Sequence, residues 1–254
     1  MKFSPKKIKE LGNFLKNSYV PNNIPGFSVL VNQDSKEIYY SESGLIDVNR
    51  KRKINRDSIF RIYSMTKPII STAAMMLNED GLIYLHENLN KYIPEFDNMT
   101  VSTAYIDKKG QKQERVVEAK NKIKIHNLLN HTSGLTYGTF GNSFAKKRLK
   151  SSEISKLNLE DISLKQYVKE LSKFPLAYNP NTVWEYGRSI EVLGRVIELA
   201  SDKTLDVFLK DKIFKPLDMI DTAFYVEESK WHRIAEPFKD KQPKLISIRD
   251  KPNF

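Results

Sequence analysis

The chain has 254 residues, with apolar residues at 40%, enough for one large domain or two small ones with a real core. Cysteine is absent, which excludes disulfides, thiolate metal sites and a cysteine nucleophile; the four histidines never occur at i, i+4 spacing, which excludes a zinc site of the H-E-x-x-H kind. Lys+Arg 42 against Asp+Glu 31 gives +11, but the lysines are spread along the whole chain and read as a solvated surface, so no nucleic-acid partner is expected. No apolar run approaches the ~18 residues of a membrane span, so no membrane partner is expected either.

The N-terminal stretch lacks an apolar core and a cleavage site, so it is not a secretory signal, and a cytoplasmic location is expected. It reads as an amphipathic helix, with Ser4 as cap, Pro5 at the first helical position, and Ile8, Leu11 and Leu15 on one face. Residues Pro25–Gly44 read as a β-hairpin, with strands at Phe27–Val31 and Glu37–Tyr40 and a turn over Asn32–Lys36. A basic connector, Asp47–Asp57, precedes a helical pattern from Ser64 to Asp80, which Gly81 should stop. Leu82–Phe96 reads as loop, Asp107–Glu118 as an exposed loop or hairpin, and Ile123–Leu129 as a short helix ending before His131–Gly134. A loop over Leu135–Ser143 follows, then helices at Ser163–Lys173, Ile190–Ala200 and Leu205–Ile213, and a candidate strand at Thr222–Val226. Strands followed mainly by helices indicate an α+β layout, and with no repeat or low-complexity linker a single domain is expected.

Ser64-Met65-Thr66-Lys67 is an S-x-x-K at a helix start. Helical spacing puts i and i+3 on one face, so Lys67 can sit beside the Ser64 hydroxyl. A serine alcohol is a weak nucleophile until a neighbour takes its proton, and a lysine can do so if burial lowers its pKa. A helix N-terminus adds positive potential where an oxyanion would form. The bland alternative is Ser64 as a cap with Lys67 in solvent, and on those four residues alone it is the better one.

The wider context changes the balance. Ile59–Pro68 (IFRIYSMTKP), Ala73–Glu79, Tyr92–Phe96, Leu128–Leu135 (LLNHTSGL), Asn179–Ser189 (NPNTVWEYGRS) running into Val192–Glu198, and Phe214–Phe224 follow one another in the order and spacing of the serine β-lactamase-related family, which the chain resembles over nearly its whole length. That family includes class C β-lactamases, DD-peptidases and carboxylesterase-like hydrolases. The resemblance implies a β-lactamase/transpeptidase-like α+β fold: an antiparallel sheet with packed helices (about residues 1–85 and 195–254) plus a helical subregion (about 86–194). It implies Ser64 as the acylated nucleophile, Lys67 as proton acceptor or relay, and Tyr186, from the Y-x-N motif, as its partner, with no cofactor and no metal. Arg188 stands where β-lactamases carry asparagine; it offers a fixed charge and no acceptor, which makes it a candidate substrate ligand, argues against β-lactam hydrolysis and leaves ester hydrolysis open, with β-lactamase or D-amino peptidase activity as the alternative. His131 reads as structural, and Trp184 and Glu185 as packing and turn residues.

The family's third motif, K-T-G or a relative such as H-x-G, is missing, because the last glycine is Gly194. That glycine lets backbone and substrate approach closely on a strand that supplies the second oxyanion-hole donor. The expectation is therefore an incomplete domain without its C-terminal strands, whose early hairpin has an unpaired edge. Its partners would be a small ester or amide substrate and a second polypeptide supplying those strands. The rival expectation is a non-catalytic remnant or subunit of the family.

Overall fold

The computed structural model describes residues 4–19, 24–138, 143–155, 162–236, 238–239 and 244–245. The chain divides into two compact units, one of residues Met1–Ile62 with Ala223–Phe254, the other of Tyr63–Thr222.

The first unit opens with α1 (Pro5–Phe14), which continues as a π turn over Leu15–Tyr19. Ser4 precedes it in extended conformation and accepts through its carbonyl from Ile8 N–H; its side chain makes no cap hydrogen bond. Leu11 and Phe14 stay exposed, and only Gly12 is buried, where a Cβ would stand 2.6 Å from the Tyr39 hydroxyl. Close approach to the sheet thus replaces an apolar seam. Strands β1 (Gly26–Gln33) and β2 (Lys36–Asp47) pair antiparallel around a two-residue turn, Asp34-Ser35, both left-handed. Such a turn matches the twist of the strands it joins, so the hairpin is longer and its turn tighter than the sequence suggested. Phe27, Val29 and Val31 share the less exposed face, while Leu30 on the other is 52% exposed. Among the described residues β1 pairs only with β2, whose other edge carries β3 (Arg52–Lys53). Asp47, at the end of β2, is buried and held by Arg52 at 2.9 Å. Near the end of the unit, Ile59 forms a parallel bridge with Ile234.

The second unit is built around helices. After a 3-10 turn at Tyr63–Met65, α2 (Thr66–Glu79) buries Ile70, Ala73, Ala74 and Leu77, the i, i+3, i+4, i+7 stripe of an amphipathic helix. Pro68 sits in its first turn, where a missing N–H costs nothing. Gly81, at φ 71°, ends it. The hairpin β4 (Thr100–Ile106) and β5 (Lys112–Glu118) follows, extended by backbone bonds between β4 and Leu176. Then come α3 (Ile125–Leu129), α4 (Phe144–Ser151), α5 (Leu164–Leu171), α6 (Ser189–Ser201) and α7 (Leu205–Leu209), the last running into a π turn over Lys210–Phe214. Ser143 caps α4, and Ser163 with Gln166 forms a capping box on α5. Helix α6 is central: it packs on α2, α3, α5 and α7, and a Cβ on Gly194 would stand 2.9 Å from Leu205 and 3.3 Å from Leu164.

Three expectations need correction. Helix α4 was not anticipated within the polar stretch after the Leu135–Ser143 loop. Ser64 lies in a 3-10 turn ahead of α2 and not in the helix itself. Thr222–Val226 forms no strand; the strands β6 (Phe238–Lys239) and β7 (Lys244–Leu245) lie further on. Part of the Leu135–Ser143 loop, residues 139–142, lies outside the described residues.

Candidate active site

Among the described residues, the side chains that hydrogen-bond Ser64, those of Lys67 and Tyr186, belong to the second unit, as Ser64 does. The 3-10 turn leaves the Ser64 side chain exposed, and Lys67, one helical step on, is half-buried with Nζ 3.3 Å from Ser64 Oγ. Tyr186 arrives from the segment before α6 and donates its hydroxyl to Ser64 Oγ at 2.6 Å. The structure therefore brings together Ser64, Lys67 and Tyr186, residues 122 positions apart at the extremes.

Backbone turns fix that convergence. Gly134, at φ 83°, lies where a Cβ would stand 2.2 Å from Tyr178 O, so the loop can pass only with glycine there. The buried Ser133 and Ser189 hydroxyls meet at 2.9 Å, tying that loop to the first residue of α6. Gly187 faces Leu135 O at a distance no side chain could occupy. Glu185, beside Tyr186, pairs with Lys146 of α4 at 2.9 Å, with both side chains largely buried, and accepts from Thr136 at 2.5 Å. It is a clamp between loops. Trp184 differs from the packing role expected of it: it is 64% exposed and lies stacked beside Tyr186, ring centroids 6.1 Å apart. His131, in left-handed conformation at φ 58°, packs its ring 5.0 Å from that of Tyr186 and accepts Glu185 N–H through its carbonyl. Burial, reinforced by the Lys67 charge, pushes its imidazole below the usual histidine range.

Arg188 sits two residues past Tyr186 and donates to Glu191 Oε1 at 3.1 Å, its guanidinium 4.4 Å from the Tyr137 ring centroid. Two residues that sequence reasoning missed complete the cluster. Tyr137 accepts from Lys67 Nζ at 3.3 Å and donates to Glu191 Oε1 at 3.3 Å. The only sequence signal for Glu191 is its i, i+3 spacing from an arginine of opposite charge.

The electrostatics follow from this layout. Burial pushes the Lys67 ammonium down, but hydrogen bonds with Tyr186 and Tyr137, aided by the charge of Glu191, outweigh it and leave Lys67 above the ordinary lysine value. The hydrogen bond with Ser64 lowers Tyr186, burial opposes, and Lys67 lowers it further, so the phenol lies below its usual range. Burial and the Glu191 charge raise Tyr137. A hydroxyl oxygen beside a phenol that ionises easily and a fixed ammonium is equipped for proton transfer out of Ser64.

Comparison with known proteins supplies the family. A model described as Beta-lactamase matches residues 13–251. Esterase EstB of Burkholderia gladioli is 30% identical over 227 residues, covering 89% of this chain and 53% of that protein. The chain thus spans about half the length of that relative. Among solved structures, EstCE1, a hydrolase with promiscuous acyltransferase activity, superposes with a TM-score of 0.75 at 24% identity, covering 95% of this chain and 58% of its own. Unliganded simvastatin synthase (LovD) from Aspergillus terreus gives 0.79 at 22% identity, over 95% and 62%. Both have the β-lactamase/transpeptidase-like fold, and the arrangement of helices and small antiparallel sheets described above is the corresponding part of it. With the family model matching nearly its entire length, the chain belongs to the Beta-lactamase family.

Proposed function

We propose that this chain carries the nucleophilic half of a serine hydrolase that forms an acyl-enzyme on a small carboxylic ester. The observation that carries the reading is the simultaneous approach of Tyr186 Oη, at 2.6 Å, and Lys67 Nζ, at 3.3 Å, to Ser64 Oγ. The kinship with an esterase and the likeness to a hydrolase with acyltransferase activity support it.

In the first step the Tyr186 phenolate takes the Ser64 proton as Oγ attacks the ester carbonyl carbon, giving a tetrahedral oxyanion. Its collapse breaks the carbon–oxygen bond to the leaving alcohol, which takes the proton back from Tyr186 and departs, leaving the acyl group on Oγ. Water then repeats the sequence, with Tyr186 removing its proton, and frees the acid and Ser64. Lys67 stays an ammonium and stabilises the phenolate. Arginine in place of the asparagine of the Y-x-N motif removes the acceptor that an amide substrate would use, which favours esters over β-lactams.

The Ser64 N–H supplies one oxyanion donor in this reading, and the second comes from a strand with a close-approach glycine outside this sequence, in a downstream segment or a second polypeptide. Loss of one donor typically costs ~10²–10³ in rate. Turnover of p-nitrophenyl butyrate by the 254-residue chain is therefore expected to stand little above background, and co-expression with a fragment carrying the missing strands to raise it. A fluorophosphonate probe with peptide mass mapping should mark Ser64 and nothing in Ser64→Ala; labelling that persists in that variant refutes the reading. The rival reading is a non-catalytic subunit of the same family. Ser64 that stays unlabelled with the completing strands present would establish that alternative.

A further inference from the structure

We infer that Tyr137 and Glu191 are positioning residues that hold the Lys67 ammonium beside Ser64, and that Arg188 is the counter-charge of Glu191 and not a ligand of the substrate. The catalytic meaning of this arrangement rests on the hydrolase reading above; the arrangement itself does not.

The four side chains form one line of contacts. Lys67 Nζ donates to Tyr137 Oη at 3.3 Å, Tyr137 Oη donates to Glu191 Oε1 at 3.3 Å, and Arg188 donates to the same carboxylate oxygen at 3.1 Å. The tyrosine hydroxyl thus relays the carboxylate's negative potential to the ammonium: its oxygen accepts from Lys67 while its own proton goes to Glu191. Arg188 is fixed on two sides, by the carboxylate and by the face of the Tyr137 ring at 4.4 Å, a half-buried placement that suits a guanidinium. Glu191 Oε2 and Arg188 Nε are both buried and make no hydrogen bond, so the facing atoms of this ion pair are turned away from solvent.

Charge counting gives the consequence. Lys67, Arg188 and Glu191 sum to +1, which ionisation of Tyr186 would neutralise. Removing the Glu191 charge leaves two cations facing each other and makes the Lys67 ammonium easier to deprotonate. Removing Arg188 has the opposite sign, because Glu191 then acts on Lys67 alone. Besides Tyr186 and Tyr137, the ionisable groups around Lys67 are Glu191 on α6, His131, whose imidazole burial pushes below the usual range, and, across the Tyr137 ring, Arg188 at the head of α6. Tyr167 of α5 touches Arg188 from behind and stays a phenol, pushed up to about 12 by burial.

The test reads Lys67 directly and needs no turnover. Each folded protein, checked by its melting transition, is treated with trace acetic anhydride across pH 8 to 11, and acetylation of the Lys67 peptide is quantified by mass spectrometry. At a fixed pH below the Lys67 titration, Glu191→Gln is expected to raise acetylation roughly tenfold and Arg188→Met to lower it by a similar factor, the effect of displacing the Lys67 titration by about one pH unit. The double variant should return toward wild type. Tyr137→Phe, which keeps the ring under Arg188 and removes only the hydroxyl, should raise it about threefold and stands in if Glu191→Gln does not fold. A merely structural role would not give opposite signs and mutual rescue. Equal acetylation in all the folded variants, or a rise in both Glu191→Gln and Arg188→Met, overturns the inference. Opposite shifts with Ser64 inert to fluorophosphonate even when the completing strands are present would sustain it while overturning the hydrolase reading.

Discussion

Gly187→Ala probes how tightly the site depends on backbone contact. Gly187 is buried next to Tyr186, and a Cβ there would stand 2.2 Å from Leu135 O and 2.5 Å from Thr136 Cα. An ordinary contact needs about 1 Å more than the shorter of these, in an interior packed like an organic crystal. Both obstacles are main chain, so no side-chain rotation relieves them; the loop carrying Thr136 and Tyr137 and the segment carrying Tyr186 must separate. Overpacking of this kind costs roughly 1–3 kcal/mol, and a backbone obstacle puts it near the upper value. For a chain of this size each kcal/mol moves the melting temperature by about 2–4 °C, so a fall of roughly 6–12 °C is expected by calorimetry. The reactive geometry suffers separately: about 1 Å of misplacement costs on the order of 10²-fold. The fluorophosphonate labelling rate of Ser64 should drop by that order in the fraction that remains folded. A melting temperature within 2 °C of wild type together with an unchanged labelling rate would show that the contact is not the constraint argued here.

Asp47→Ala removes the buried carboxylate that holds Arg52, and leaving the guanidinium and the Arg50 N–H without it should cost about 3–5 kcal/mol in urea unfolding. Arg148, the first cause of the depressed Glu114 carboxyl, contributes stability that is complete above the unfolded carboxylate value of 4.5 and is lost as pH falls through the lower folded value. The melting-temperature deficit of Arg148→Met should therefore be present at pH 7 and vanish at pH 2. It should be small, because Arg148 is half-exposed and its ion pair is screened.

The elements that a periodic stripe defines were legible. Helix α2 shows itself by Ile70, Ala73, Ala74 and Leu77 with Gly81 as its stop, and the structure adds only that a 3-10 turn carrying Ser64 precedes it. Helix α4 was hidden because only Ala145 and Leu149 are buried on it, too short a stripe to rise above the basic run from Lys146 to Arg148. Thr222–Val226 has strand-forming residue types but pairs through a bridge at Tyr225 alone, and continuous pairing decides a strand. At the site, the Ser64–Lys67 relation is local and follows from helical spacing. Tyr186 was reached through its motif. Tyr137 and Glu191 were not, since their meeting depends on turns at Gly134 and Gly187 that no pattern of spacing encodes, and Trp184 looked like core because its neighbours in sequence do.

Spacing places a lysine beside a serine but leaves its charge open, and here the surroundings decide it. The expectation from sequence was that burial would lower Lys67 toward a useful base. Burial does act in that direction, but Tyr186, Tyr137 and Glu191 reverse it, while Tyr186 is lowered by Ser64 and Lys67. The two groups are therefore pushed toward opposite charges, phenolate and ammonium, and titrate as a pair. If Tyr186 is the base, the fluorophosphonate labelling rate of Ser64 should rise with an apparent value below 10.0, as the phenol ionises. It should fall again with one above 10.5, as the ammonium that stabilises the phenolate is lost. Lys67→Met should shift the rising limb to higher pH and lower the maximum, because a phenolate without its ammonium is harder to form. A wild-type rate that keeps climbing through the deprotonation of Lys67, with no descending limb, would assign the base to the lysine and refute this division of charge.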